Sequence, residues 1–409
     1  MSKPVIVFDN GSGYLKAGLS NKEVPMFTLP AIIGRPMLRY KQKIANFELK
    51  PEMIGDEVTP VRSLLELSYP MEEGIIKNDK DMATLWDYVL TQKLKIPKAD
   101  LKDRKILMTE APNNPTKNKE KMAEILFEKI GIGYFNIEPQ AKMTLYCEGE
   151  ETGVVLDSGD GVTHVIPIAH NYLLHHQIKR LDIAGRHITN YLTKLLQING
   201  YAFNSTADFE TVRELKEKYC FVSCDIKSDR KLNQETTYYN TITKLPDGRK
   251  IRISGEKFEA PEILFQPHLV QNEMPGVHEM LYNSIDVSKN NLIFIYILKS
   301  CDIDVKPKLY NNIILSGAST MFPGYASRIE IELRKLYTDN NLKLAKDKTI
   351  KIPIKIIDSP RRKYSVFTGA AVLSTTYNGP EYDGYWISAK DWKESGPGII
   401  LKKCPNILR

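Results

Sequence analysis

The chain has 409 residues, 42% hydrophobic and 26% charged, which is enough for two domains or one bilobal domain with a sizeable core. Fifty-seven basic against 50 acidic side chains leave a mild, dispersed charge of +7, too weak to point to nucleic acid. The longest purely apolar run, residues 292–298, is far too short to span a membrane, and MSKPVIVFDNG runs straight into a strand with no signal peptide.

Residues 5–18 read VIVFDNGSGYLKAG, an apolar β-branched run that ends in Asp9 and then turns on two glycines. A lysine-rich stretch, 40–51, is expected to be a surface loop. Residues 79–94 place Met82, Leu85, Trp86 and Val89 on one helical face. A strand is expected at 105–109. An amphipathic helix is expected at 116–130, with Lys117, Lys119, Glu120 and Lys121 solvated and Met122, Ile125 and Leu126 turned inward. Strands alternating with helices indicate an α/β fold.

At 154–166 the opening phrase returns as VVLDSGDGVTHVI, with Asp157 in the place of Asp9 and the same D-x-G-x-G spacing. One copy alone reads as an ordinary hairpin turn. Two copies suggest a duplicated phosphate clamp, in which glycines at φ > 0 bring backbone N–H groups close to an anion. The two aspartates would be repelled by phosphate and suit a hydrated Mg²⁺.

His175 and His176 lack partners at metal spacing and read as strand residues. Residues 182–196 form a turn and then a helix, with Gly185 at its start, where a ligand can approach backbone closely. Residues 209–221 are helical, and Cys220 and Cys224 lie four apart on that helical stretch. The five cysteines form no C-x-x-C, and their odd number argues for reduced thiols. LPDGRKIRI is a hairpin, 313–319 a strand with a glycine turn, and 351–357 a strand followed by a loop into a buried helix. The segment 286–298, DVSKNNLIFIYIL, ends in a bare apolar run that would be sticky on a surface.

The set DNGSGYLKAG, MTEAPNNPTKNKEKM, QAKMTLY, DSGDGVTH, LDIAGRHIT, FEAPEILFQP, ILSGAST and SPRRKYSVFTGAA resembles actin and its relatives from end to end, in the family's order. The resemblance implies the actin-like ATPase fold, an α/β architecture whose two lobes each carry a phosphate-loop core of ribonuclease H type, with four subdomains. The small lobe would comprise 1–147 and 365–409, with 32–71 as its outer subdomain. The large lobe would comprise 148–364, with 184–272 as its outer subdomain.

It also implies ATP and Mg²⁺ as cofactors. Ser12, Gly13, Tyr14 and Leu15 would offer N–H groups to the β-phosphate and Lys16 a cation. Gly159, Asp160, Gly161 and Val162 would cradle the γ-phosphate. Asp9, Gln140 and Asp157 would hold the Mg²⁺ through water, and Gln140 and His164 would position the attacking water. Gly185, Lys216, Glu217, Gly317, Ala318, Phe322 and Lys363 would wall the nucleoside pocket. Without the resemblance, Lys216 reads as a solvated helix lysine and His164 as an ordinary strand histidine.

Departures from the family are Ala318 and Ala370, where a second glycine is usual, and His187 in place of an acidic residue. A groove near Tyr146, Cys147, Val372 and Leu373, edged by Glu148, Glu150 and Glu151, would accept a partner's helix or loop. The long loop at 40–51, an extra stretch at 338–351 and the basic tail ending in Arg409 resemble an actin-related subunit of the seven-subunit complex that nucleates branched filaments. The expected partners are therefore actin filaments and the other subunits of that complex, including a second actin-related protein, in the cytoplasm. Slow ATP hydrolysis would accompany a mainly structural role. The alternatives are a divergent actin-like ATP-binding protein acting outside any such complex, or a filament-forming actin. Residues 286–298 are additional to the family pattern. Val287 to Asn290 can be encoded GTAAGTAAAAAT, so the segment is either a contact peculiar to this lineage or a retained intron.

Overall fold

The structure, a computed structural model, describes residues 3–37, 50–204, 206–245, 248–286, 305–341 and 354–404. Most of the lysine-rich loop, residues 287–298 of the additional segment, 342–351 of the extra stretch, Asp247, Cys301 and Arg409 lie outside the described residues. The chain forms two compact units, Met1–Glu151 with His170–Leu173 and Lys363–Arg409, and Thr152–Ala169 with Leu174–Arg362.

The first unit opens with β1 (Ile6–Asn10), every residue of which is buried, as its unbroken apolar run requires of a central strand. It pairs antiparallel with β2 (Tyr14–Leu19), which pairs in turn with β3 (Phe27–Pro30). A small outer sheet of β4 (Ile33–Pro36), β5 (Met53–Ile54) and β6 (Leu65–Ser68) has its own core of Ile32, Met53, Val58, Val61 and Leu65. A tight hairpin, β7 (Met71–Glu72) and β8 (Ile75–Ile76), precedes α1 (Asp79–Tyr88). The Asn78 side chain caps α1 by accepting from the Lys80 and Asp81 N–H groups. Met82, Leu85, Trp86 and Val89 are buried together, on the face their spacing predicts.

Next come β9 (Lys105–Glu110), α2 (Thr116–Glu124), β10 (Tyr134–Pro139) and α3 (Gln140–Glu148). The expected helix at 116–130 continues past α2 as a wider turn over Ile125–Ile130. Its solvated face needs a correction: Lys119 is buried, because its Nζ lies 2.7 Å from the Glu110 carboxylate of β9.

The second unit repeats the plan. β11 (Gly153–Ser158) pairs antiparallel with β12 (Thr163–Ala169), and the short β13 (Lys179–Leu181) adds to β12. His175 and His176 are not in a strand; they lie in the 3-10 turn His175–Gln177 that precedes β13. Three helices follow, α4 (Gly185–Ile198), α5 (Thr206–Tyr219) and α6 (Ile226–Glu235). Cys220 therefore lies just beyond α5 rather than on it; it is buried, and Cys224 is exposed. The expected hairpin forms from β14 (Thr241–Lys244) and β15 (Lys250–Ile253). Then come α7 (Glu256–Glu262), α8 (Val277–Ile285), α9 (Val305–Asn311), β16 (Ile313–Ser316), α10 (Tyr325–Asn341) and β17 (Ile356–Ile357). The described part of the expected 351–357 strand is β17, which pairs parallel with β16.

The chain then returns to the first unit with α11 (Ser365–Thr376), β18 (Ile387–Ser388), α12 (Ala389–Ser395) and α13 (Gly398–Lys403). The first sheet runs β18-β10-β9-β1-β2-β3, and the second contains β12-β11-β16-β17. In both, the Asp-bearing strand lies between its antiparallel hairpin partner and a parallel strand. The echo in the sequence is thus an echo in topology.

Candidate functional site

The two turns are built alike. Gly11 N–H donates to Tyr14 O and Gly159 N–H to Val162 O, each at 3.2 Å. Asp9 faces Lys16 across the first hairpin, and Asp157 faces His164 across the second. One expectation fails: neither Gly11 nor Gly159 has a positive φ, so these turns close without left-handed backbone. Gly11 is needed for space instead, since a Cβ there would lie 2.6 Å from Tyr14 O.

In the first unit, Asp9 is only 2% exposed and is fully engaged. Lys16 Nζ donates to Oδ2 at 2.7 Å, while Thr109 Oγ1 at 2.8 Å and Gln140 Nε2 at 3.1 Å donate to Oδ1. Pro139 and the first turn of α3 deliver Gln140 to this place. Ser12 Oγ accepts the Gly74 N–H at 3.0 Å, from the tip of the β7–β8 hairpin. Gly13 O accepts from Ala31 N–H, Tyr14 is half-buried and Leu15 is packed into the core. Asp9, Lys16 and Gln140 therefore meet.

In the second unit, Gly159, Asp160, Gly161 and Val162 form the turn, and Gly185 joins it by donating its N–H to Gly159 O at 3.1 Å. Arg186 N–H donates to Asp160 O, and its Nε lies 3.2 Å from the Asp160 carboxylate. Ser319 Oγ donates to Gly159 O at 2.6 Å. Gly317 has φ +86°, and a Cβ there would lie 2.2 Å from Ser158 O. Only glycine fits that position.

Lys216 is buried, not solvated, and its Nζ donates to Gly185 O at 2.8 Å. Burial lowers its affinity for a proton, with Asp160 opposing. His164 is 3% exposed, and its Nε2 has no hydrogen-bond partner among the described residues. Burial, aided by Arg180, pushes its pKa down to about 4, so the ring is neutral at pH 7.

The remaining expected residues have contacts of their own within their units. Glu217 is exposed and reaches toward Arg213, and Phe322 packs into the core of the second unit. Lys363 belongs to the first unit, with its Nζ 4.7 Å from the Tyr364 ring. Thr109 and Ser319 went unrecognised in the sequence, although both lie inside quoted motifs, MTEAP and ILSGAST.

The actin family model matches residues 2–405. The chain belongs to the actin family. It is 47% identical over 404 residues to actin-related protein 2 of Drosophila melanogaster, covering 97% of each chain. Identity to actin-related protein 2 is 46% over 401 residues in Saccharomyces cerevisiae and 45% over 405 in Schizosaccharomyces pombe, with 98% and 99% of each chain covered. The mixed α/β units described above carry the actin-like ATPase fold.

The departures from the actin-family pattern have local explanations. Ala318 is exposed, so its methyl displaces nothing within its unit. In the Gly369–Ala370 pair, the first position needs glycine, since a Cβ there would lie 1.7 Å from Met143 O of α3. Ala370 fits fully buried. His187 accepts the Ala184 N–H on Nδ1 at 3.3 Å, the capping task an acidic side chain would perform there. Along the expected groove, Val372 is exposed but Leu373 is 6% exposed and joins the core.

Proposed function

We propose that the chain binds Mg-ATP and serves as the actin-related subunit which, with a second actin-related protein and the other subunits of a branching complex, starts new actin filaments. The observation that carries the nucleotide reading is the duplicated Asp-ended turn, with Lys16 and His164 at matching positions. Three features of the residues fit the ligand. Gly159 has no neighbour within 3.9 Å of a would-be Cβ, His164 Nε2 is a buried polar atom with no partner among the described residues, and Asp9 is held by three donors.

In this reading, Ser12, Gly13, Tyr14, Leu15 and Lys16 hold the β-phosphate, and Gly159, Asp160, Gly161 and Val162 the γ-phosphate. Asp9, Gln140 and Asp157 hold the hydrated Mg²⁺, which supplies charge neutralisation to phosphoryl transfer when bound. Gln140 and neutral His164 orient the attacking water. Gly185, Lys216, Glu217, Gly317, Ala318, Phe322 and Lys363 form the nucleoside side of the site. Turnover is slow, and nucleotide binding chiefly selects a conformation. The working place is the cytoplasmic cytoskeleton; no described helix is long and apolar enough to cross a membrane.

The test is affinity purification of the full chain from its source cell. Recovery of the remaining complex subunits with actin is the expected result; their absence from that cell's proteome overturns the assembly. For the site, Asp157→Ala is expected to abolish Mg-ATP binding, and unchanged affinity refutes the clamp.

A further inference from the structure

We infer that Thr109 is a positioning residue for the metal and water groups of the first unit, a role that rests on the Mg-ATP reading above. Thr109 lies on β9, parallel to β1, one step beyond the Phe8–Met108 pair and therefore alongside Asp9. Its side chain is 1% exposed, and its hydroxyl donates to Asp9 Oδ1 at 2.8 Å. Gln140 Nε2 donates to the same Oδ1 at 3.1 Å and approaches Thr109 Oγ1 at 3.5 Å. One buried hydroxyl thus spends its proton on the carboxylate and turns its lone pairs toward the amide.

The consequence is orientational. With Lys16 on Oδ2 and Thr109 on Oδ1, the plane of the Asp9 carboxylate is set from both sides. Removing the hydroxyl leaves Oδ1 with the longer Gln140 bond alone and frees both groups to rotate. Carboxylates that hold a metal through water depend on such outer partners. The second unit supplies an independent parallel: Ser316 of β16 pairs in register with Asp157 and is fully buried. A hydroxyl residue therefore stands beside each repeated aspartate, on a strand about 100 residues away in the first unit and about 160 in the second. The duplication extends beyond the turn itself.

The experiment uses the full chain and a fluorescent ATP analogue, titrated with Mg²⁺ and separately in EDTA. Thr109→Val keeps shape and loses the hydroxyl. It is expected to raise the Mg²⁺ needed for half-maximal effect by about 10–100-fold, with affinity in EDTA unchanged within about twofold. Thr109→Ser restores the hydroxyl and should recover the wild-type midpoint. If the valine variant does not fold, Thr109→Ala takes its place. Equal midpoints for wild type and Thr109→Val overturn the role, as does a serine variant as impaired as valine or a loss of equal size in EDTA. Failure of the unchanged chain to bind the analogue sinks the nucleotide reading and this role with it. Binding that is merely insensitive to Thr109 sinks the role alone.

Discussion

The turn after Asp9 and the turn after Asp157 close with the same 3.2 Å hydrogen bond, yet their glycines answer to different demands. At Gly11 a methyl would strike the turn's own carbonyl, Tyr14 O, at 2.6 Å. At Gly159 the nearest atom would be 3.9 Å away, so chain sterics leave room for a side chain. The first aspartate is locked by Lys16, Thr109 and Gln140, and the second faces a buried neutral histidine across its hairpin. One motif thus sets its aspartate opposite an ammonium in one unit and opposite a neutral imidazole in the other.

The largest expected effect tests how far each turn depends on charge buried in its own unit. Lys119–Glu110 and Arg328–Glu262 are the fully buried pairs of the first and second units among the described residues. Removing one partner from such a pair destabilises by about 3–5 kcal/mol, because the other is left uncompensated. Lys119→Met should also weaken ATP binding, since Glu110 adjoins Thr109 on β9. Arg328→Met should be equally destabilising while sparing affinity, since its partners are Glu262, Glu332 and Ser223 O. Chemical denaturation and nucleotide titration of both variants separate the two outcomes.

Next come the matched side chains. Lys16→Ala should weaken ATP binding by about a hundredfold at low salt, for loss of a charge-assisted contact. His164→Ala should keep affinity within a few-fold and slow hydrolysis by about 10²-fold. The reverse pattern would break the division of labour between the turns.

The glycines give a smaller contrast. Gly11→Ala or Gly317→Ala should cost about 1–3 kcal/mol of stability, through backbone crowding and, at Gly317, a left-handed φ. Gly159→Ala should leave the melting temperature unchanged and reduce ATP affinity instead. A destabilised Gly159→Ala would show that the second turn is as crowded as the first.

What was legible in the sequence follows from range. The Asp-ended runs, the helical face around Trp86 and the β14–β15 hairpin are local patterns, and each appears where its spacing puts it. Thr109 escaped notice because its partner, Asp9, lies on a parallel strand 100 residues away. Lys119 reads as solvated in a Lys/Glu-rich helix start, and only the neighbouring strand shows that Glu110 draws it inside. The glycine spacing marks a turn but not its backbone conformation, because close approach and positive φ select glycine equally.

The smallest effect concerns the outer sheet of the first unit, which is tied to α1 by Asp81. Its carboxylate, 1% exposed, accepts from Arg35 at 2.5 and 3.2 Å and from Ser68 Oγ at 2.7 Å. Arg35 above all, with Ser68, holds the Asp81 carboxyl below its ordinary 3.8, against the opposing effect of burial. A carboxyl more acidic in the folded than in the unfolded state contributes stability that is present above the unfolded value. That contribution is lost as pH falls through the folded value. Arg35 is 37% exposed, so solvent screening keeps the contribution below about 1 kcal/mol. The protection factors of the β4 and β6 amides, with the intrinsic pH dependence of exchange divided out, should therefore fall below about pH 4 in the wild type. In Asp81→Asn, the same amides should exchange faster at neutral pH and show no acid step. In the second unit, Arg230 donates to Glu259 at 2.6 and 2.7 Å in a more open setting. Amides of α6 and α7 serve as the internal reference there: an acid step confined to β4 and β6 assigns it to Asp81, and one shared by both regions removes that assignment.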